Sequence, residues 1–195
     1  DIIYLIDNSG RRIPFDYLAP GKRSYQPYED ITLYRLPLPD DKKHTLLAGQ
    51  PIDANAANGT RIGDDEPLHF ILYQGDYHPT HNAQQQGIAI HYHTVIGRSQ
   101  THATLVVSKH TDNYGHSLQI YYTHDNQSDF AHLPQYITDA NGHGYQLTFT
   151  LIDGQPRLSK LSQIHHIDQP AEILSEYHYS TDGELTAVYH KGQLV

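Results

Sequence analysis

Apolar and polar positions alternate with period two along most of this chain. Ile31-Thr32-Leu33-Tyr34-Arg35-Leu36, Leu68-His69-Phe70-Ile71-Leu72-Tyr73 and Ile88-Ala89-Ile90-His91-Tyr92-His93 follow it. Ser117-Leu118-Gln119-Ile120-Tyr121-Tyr122 and Tyr145 through Leu151 repeat it. Alternation puts successive side chains on opposite faces of an extended chain, so these runs predict about a dozen strands with one drier face. No window sustains helical spacing; the best short helix candidate is His81–Gln86.

Turn signals separate the runs. Asn58-Gly59, Asn141-Gly142, Asp153-Gly154 and Asp182-Gly183 are dipeptides that suit tight hairpins. A second punctuation, Asp-x-x-Gly, recurs at Asp7 and Gly10, Asp112 and Gly115, and Asp139 and Gly142. Such an Asp can accept bonds from the amides of its own turn while the Gly supplies positive φ. Strand, turn and return strand come back in units of roughly 20 to 30 residues, which must stack on neighbours to bury a face. Residues 40–66, rich in Asp, Asn, Gly and Ala, look like a long surface excursion. No linker divides the chain.

Composition sharpens this picture. Sixteen Tyr stand beside 4 Phe and no Trp, which favours broad sheets with thin cores over helical packing. With 195 residues the chain has one domain's worth of sequence. Thirteen Lys and Arg against 22 Asp and Glu give a net charge of −9, which argues against a nucleic-acid partner. Cys is absent, which excludes disulfides and thiolate chemistry. No apolar run is long enough for a membrane span. Met is also absent and the chain starts in a strand-like run, so we read it as an internal piece of a longer protein.

Tyr179 through Val188 (YSTDGELTAV) resembles the YD repeat, with Tyr179, Asp182, Gly183 and Leu185 on its core positions. Ser180 stands where the repeat's Asp is expected, and Glu184 where Arg is commoner. Gly10-Arg11-Arg12-Ile13-Pro14-Phe15, with Pro20-Gly21, Tyr25, Pro27 and Ile31-Thr32-Leu33, resembles the start of the Rhs core, Lys22 replacing the usual Glu. Thr111–Gly115 and Thr138–Gly142 resemble the Asp-x-x-Gly steps that follow in Rhs proteins. The likeness spans residues 1–36 and 103–195. It implies an all-β antiparallel ribbon of β-hairpins, residues 1–195 forming one Rhs-core fragment of a larger hollow shell. Residues 1–100 would be the start-of-core region and 101–195 the YD-like repeats. The implied function is non-enzymatic: enclosing a C-terminal toxin domain and helping its delivery, as in bacterial polymorphic toxins exported by type VI secretion. The implied partners are the rest of the parent shell, its toxin cargo, and secretion-spike or chaperone proteins, at a secreted or cell-surface location. No cofactor is implied. Raw strand edges would let the isolated piece self-associate edge to edge. The alternative is a cell-surface carbohydrate-binding or adhesion module, with Tyr121-Tyr122 or Tyr177 and Tyr179 stacking on sugars.

Other chemistry is thinner. His91-Tyr92-His93 sets two imidazoles on one strand face, a spacing that metals use, but the sequence shows no third ligand. His78-Pro79-Thr80-His81 with Asp76 is a loop alternative, and His165-His166 are expected on opposite faces of a strand. No Gly-x-Ser-x-Gly elbow occurs. The carboxylates at Asp40-Asp41 and Asp64-Asp65-Glu66 sit in turn-rich sequence. Asp53–Gly59 approaches a calcium loop but breaks register at Ala57. The expectation is therefore no catalytic, cofactor or metal residue.

Overall fold

The computed structural model describes residues 2–37, 68–78, 87–98, 102–123, 128–130 and 132–195. Among these the protein is all-β, with antiparallel strands and no helix. The expected helix at His81–Gln86, the Asn58-Gly59 turn, the excursion at residues 40–66 with its carboxylates, and the calcium-like loop at Asp53–Gly59 lie outside the described residues. The chain divides into two compact units, Asp1–Gly115 and His116–Val195.

In the first unit β1 (Ile2–Ile6) and β2 (Arg12–Asp16) form an antiparallel hairpin. A sheet follows in chain order: β3 (Arg23–Gln26), β4 (Ile31–Arg35), β5 (Phe70–Gln74), β6 (Ala89–Arg98) and β7 (Ala103–Thr111). Alternation along β2 turns Ile13 and Phe15 inward, and both join Leu18 and Leu33 in the core. Ile3, Leu5, Ile31, Phe70 and Leu72 pack around them. Phe15, only 1% exposed, contributes about 2–3 kcal/mol by leaving water. The opposite face of β1 carries Ile2, Tyr4 and Ile6, all exposed.

One charged residue is buried with this core. Arg35 is 2% exposed and donates from Nη1 to the Tyr17 hydroxyl at 3.2 Å and the Leu18 carbonyl at 3.0 Å. Its guanidinium carbon lies 5.7 Å from the Phe70 ring centre and 5.9 Å from that of Tyr17. Bonds and ring faces together compensate the lost hydration. Thr32, fully buried, donates to the Gly75 carbonyl at 2.6 Å and accepts from the Tyr77 amide at 2.9 Å.

The second unit is one sheet in chain order. It runs β8 (Ser117–Tyr122), β9 (Pro134–Thr138), β10 (Gly144–Ile152), β11 (Gln155–Ile164), β12 (Glu172–Tyr179), β13 (Leu185–His190) and β14 (Gln193–Leu194). Bulges interrupt the ladder between Thr148 and Phe149, Leu161 and Ser162, and His178 and Tyr179. Bulges add local twist and bend. Among the described residues of this unit, Ile164 is the single buried hydrophobic side chain, with Thr138 and Ser162 buried beside it. Leu118, Tyr145, Leu151, Ile173 and Leu185 remain exposed.

Candidate functional site

The recurring Asp-x-x-Gly punctuation shares one geometry at Asp7 and Asp139, and part of it at Asp112. At Asp7 the amide of Gly10 donates to the Asp7 carbonyl at 2.9 Å, and the Asp7 amide donates to the Arg11 carbonyl at 3.0 Å. Oδ1 of Asp7 accepts from the amides of Ser9 and Arg11 at 2.9 and 3.0 Å. Asp139 repeats the set with Gly142, Asn141 and His143 at 3.2, 2.8 and 3.0 Å. Asp112 holds Gly115 at 3.3 Å and the Tyr114 amide at 2.8 Å. Gly10, Gly115 and Gly142 have φ of 82°, 85° and 86°, which only glycine adopts cheaply. Around Asp7 and Asp139 this is a three-residue hairpin loop, a type I turn closed by a left-handed glycine.

A fourth copy closes β12 and β13 with serine in place of aspartate. Gly183, at φ 81°, donates to the Ser180 carbonyl at 3.0 Å, and Ser180 donates to the Glu184 carbonyl at 2.8 Å. The Ser180 hydroxyl accepts from the Glu184 amide at 3.2 Å. The repeat's acceptor is therefore Ser180, while Asp182 sits exposed at the tip. Asn141-Gly142 and Asp182-Gly183 are accordingly parts of three-residue loops and not two-residue turns. Asp153-Gly154 does form a two-residue turn, with φ of 49° and 68° between the paired Ile152 and Gln155. Lys191-Gly192 is another that sequence reading passed over, because Lys seldom occupies positive φ.

Electrostatics reinforce the first copy. The Ser9 hydroxyl and the Arg11 guanidinium, both donating to Asp7, hold its carboxyl well below the usual carboxylate range. Arg11 also grips Glu29 through two bonds of 2.8 Å. Of the remaining repeat positions, Tyr179 donates its hydroxyl to the Leu158 carbonyl at 2.8 Å, and Leu185 is Tyr179's partner across the strands. Tyr179 is thus tied into the sheet.

The histidines cluster where the ladder is irregular. His69, just before β5, places Nε2 3.1 Å from Nδ1 of His91. Its ring centre lies 5.3 Å from that of His91 and 4.9 Å from that of His93. Register shifts surround this stretch of β6 and leave His93 without a paired residue on β7. Ser108, 5% exposed, donates to the His91 carbonyl at 3.0 Å and meets His93 Nδ1 at 2.5 Å. A hydroxyl has one proton; spent on the carbonyl, it receives from His93 Nδ1 and leaves the lone pair on Nε2. Burial first, then neighbouring imidazoles and Lys109, lowers the His91 pKa to about 4. Burial, His93 and Lys109 lower His69, and burial and Lys109 lower His93. All three rings are neutral at pH 7. Among the described residues, no group of three or more His, Asp or Glu side chains is placed to hold a metal ion by itself. Sequence reading found His91 and His93 but not His69, which sat unremarked inside the alternating Leu68–Tyr73 run.

The other candidates resolve differently. His78 Nε2 meets the Arg23 guanidinium, which also binds Asp76, so this loop is an ion-pair network; His81 lies outside the described residues. His165 and His166 follow the end of β11 in a turn, where the chain has left the ladder, and so do not face opposite sides of a strand. Tyr121, exposed, lines a cleft of about 210 Å³ with Gln119, Asp139, Asn141 and His166. A second cleft of about 340 Å³, beside β1, is lined by Ile3, Leu5, Leu33, Phe70 and Tyr92. Among the described residues no helix is long and apolar enough to cross a membrane. No protein-family model matches the chain, and no curated protein matches it.

Proposed function

We propose that this chain is a non-catalytic wall segment of an Rhs-type, YD-repeat shell that encloses a toxin domain encoded further along its parent. The observation that carries the reading is the second unit, a single sheet with one buried hydrophobic side chain among its described residues. A sheet so thin gains little from its own core, and its hairpins gain order from pairing with the next. The repeated turn supports the same view, because each copy bonds one or two of its own amides to Asp7, Asp112, Asp139 or Ser180. Strands can then be added in sequence with no help from a distant element. In this reading the partners are the rest of the shell, its cargo and export proteins, and the protein acts outside the cell that makes it. The unpaired edges of the isolated segment associate with one another.

The test is electron microscopy and limited proteolysis of the full natural gene product. The reading expects a hollow particle whose C-terminal domain resists protease until the shell is opened. A solid or extended particle with that domain freely cleaved refutes it. A second reading, a carbohydrate-binding module, rests on Tyr121 in the cleft with Gln119, Asp139, Asn141 and His166. Aromatic faces beside amide and carboxylate groups suit sugars. A glycan array in which Tyr121→Ala abolishes retention would favour it; no retention of the wild type would remove it.

A further inference from the structure

The facing nitrogens of His69 and His91 stand at the separation of neighbouring ligands on one ion. Two nitrogens each about 2.0–2.1 Å from a tetrahedral centre lie roughly 3.3 Å apart. His69 Nε2 and His91 Nδ1 are 3.1 Å apart. We propose that this pair is a two-imidazole binding site for a divalent transition ion of the Cu²⁺, Ni²⁺ or Zn²⁺ class, with water in the remaining positions.

Three features of the surroundings support it. The rings are half-buried while His93 beside them is exposed, so an ion reaches the pair from solvent. The donors are neutral imidazoles, which select borderline ions and leave Mg²⁺ and Ca²⁺ to oxygen ligands. The His93 ring, fixed through Nδ1 by Ser108, packs against His69 and orients it. His93 is thus a positioning residue here and not one of the two ligands. Lys109, paired with His91 across the ladder, opposes the incoming charge and sets a ceiling on affinity.

The proton balance is simple. In the empty pair one ring donates an N–H to the other. For both nitrogens to bind the ion, the donating ring moves its proton to its other nitrogen, so no proton leaves the protein. Binding also links the segment before β5 to β6, so a saturating ion raises the thermal stability of the fold by mass action.

The test is calorimetric titration of the whole chain with Zn²⁺ at pH 7, where the aquated ion keeps its water protonated, read beside imidazole ¹⁵N spectra, which this diamagnetic ion shifts without broadening. The expected result is one site whose enthalpy does not change with the buffer's ionisation heat, with the His69 and His91 nitrogens shifted first. His69→Asn and His91→Asn each weaken it by about tenfold or more, at least what an outer-sphere partner is worth. Lys109→Gln tightens it, an opposite sign that no unfolding artefact produces. His178→Asn, far along the chain, leaves it unchanged. If the His69→Asn/His91→Asn double variant binds Zn²⁺ as the wild type does, or Lys109→Gln fails to tighten binding, the proposal is overturned.

Discussion

Gly144→Ala separates backbone crowding from ordinary strand preference. Gly144 begins β10 and pairs with Thr138 on one side and Ile164 on the other. Its φ is not in the left-handed region, so alanine suits the local backbone. Space is the obstacle: a Cβ there would stand 2.0 Å from the Ile137 carbonyl oxygen and 2.8 Å from the Thr138 Cα. Both neighbours are backbone and cannot swing aside, so the strands must part by roughly 1.5 Å to reach ordinary contact. Such overpacking costs about 1–3 kcal/mol. Parting also strains the 2.8 Å bond from the Asp139 amide to the His143 carbonyl, worth about 1 kcal/mol. Set against a gain of about 0.4–1 kcal/mol from replacing glycine in the unfolded chain, the net loss is about 1–3.5 kcal/mol. The control is Gly97→Ala in β6, where nothing lies within 4 Å of a new Cβ, and which should gain up to about 1 kcal/mol. Urea unfolding by far-ultraviolet circular dichroism measures both variants. Hydrogen exchange across residues 134–164 localises the change, because two units need not unfold as one. Unchanged or raised stability in Gly144→Ala, with native exchange in β9 and β10, would refute the reasoning.

Arg35→Ala leaves the Tyr17 hydroxyl and the Leu18 carbonyl short of a donor and opens a void beside Phe70, so thermal unfolding should show a loss of about 3 kcal/mol. Ser180→Asp installs the acceptor used at Asp7 and Asp139 and should stabilise the β12–β13 hairpin by about 0.5 kcal/mol, whereas Ser180→Ala should cost about 1 kcal/mol; hydrogen exchange at the Glu184 amide reads both. Asp7, whose carboxyl is lowered by the Ser9 hydroxyl and then Arg11, favours the folded state fully above the ordinary carboxylate value of 3.8. That contribution fades as pH falls toward the lowered folded value; carboxyl ¹³C titration should show Asp7 protonating below the ordinary carboxylate value, and Arg11→Gln should move it back up.

Strand content was legible because period-two alternation is a property of each run alone. Ser117–Tyr122 coincides with β8, and Ile31–Leu36 overshoots β4 by one residue, although the Leu36 amide still bonds the His69 carbonyl in the β4–β5 register. The Asp-x-x-Gly turn was legible for the same reason: its bonds close within five residues. Ser180 was harder, because a hydroxyl and a carboxylate can accept the same amide and the eye follows Asp182-Gly183. His69 was out of reach. Its meeting with His91 depends on β5 pairing with β6, and sequence says little about which strand lies beside which. The position of His165-His166 failed on boundaries, since β11 ends at Ile164 where the Asp168 amide bonds back to His166 Nδ1 at 3.4 Å.

The turn and the sheet explain each other. A hairpin that satisfies its own amides has no need of a covering layer for its backbone, so selection on its faces is relaxed wherever packing does not reach them. That is what the second unit displays: Tyr145, Leu151 and Ile173 exposed, Thr138 and Ser162 buried, and Ile164 alone as a buried apolar anchor among the described residues. The first unit differs because β1 and β2 fold over the sheet and give Ile13 and Phe15 somewhere to go. The buried charge follows that difference, with Arg35 beside this core and the half-buried imidazoles of His69 and His91 in the same unit. Burial first, then the neighbouring imidazoles and Lys109, keeps His91 neutral there. Half-buried imidazoles therefore sit in the first unit, and strands held mainly by pairing with their neighbours make up the second.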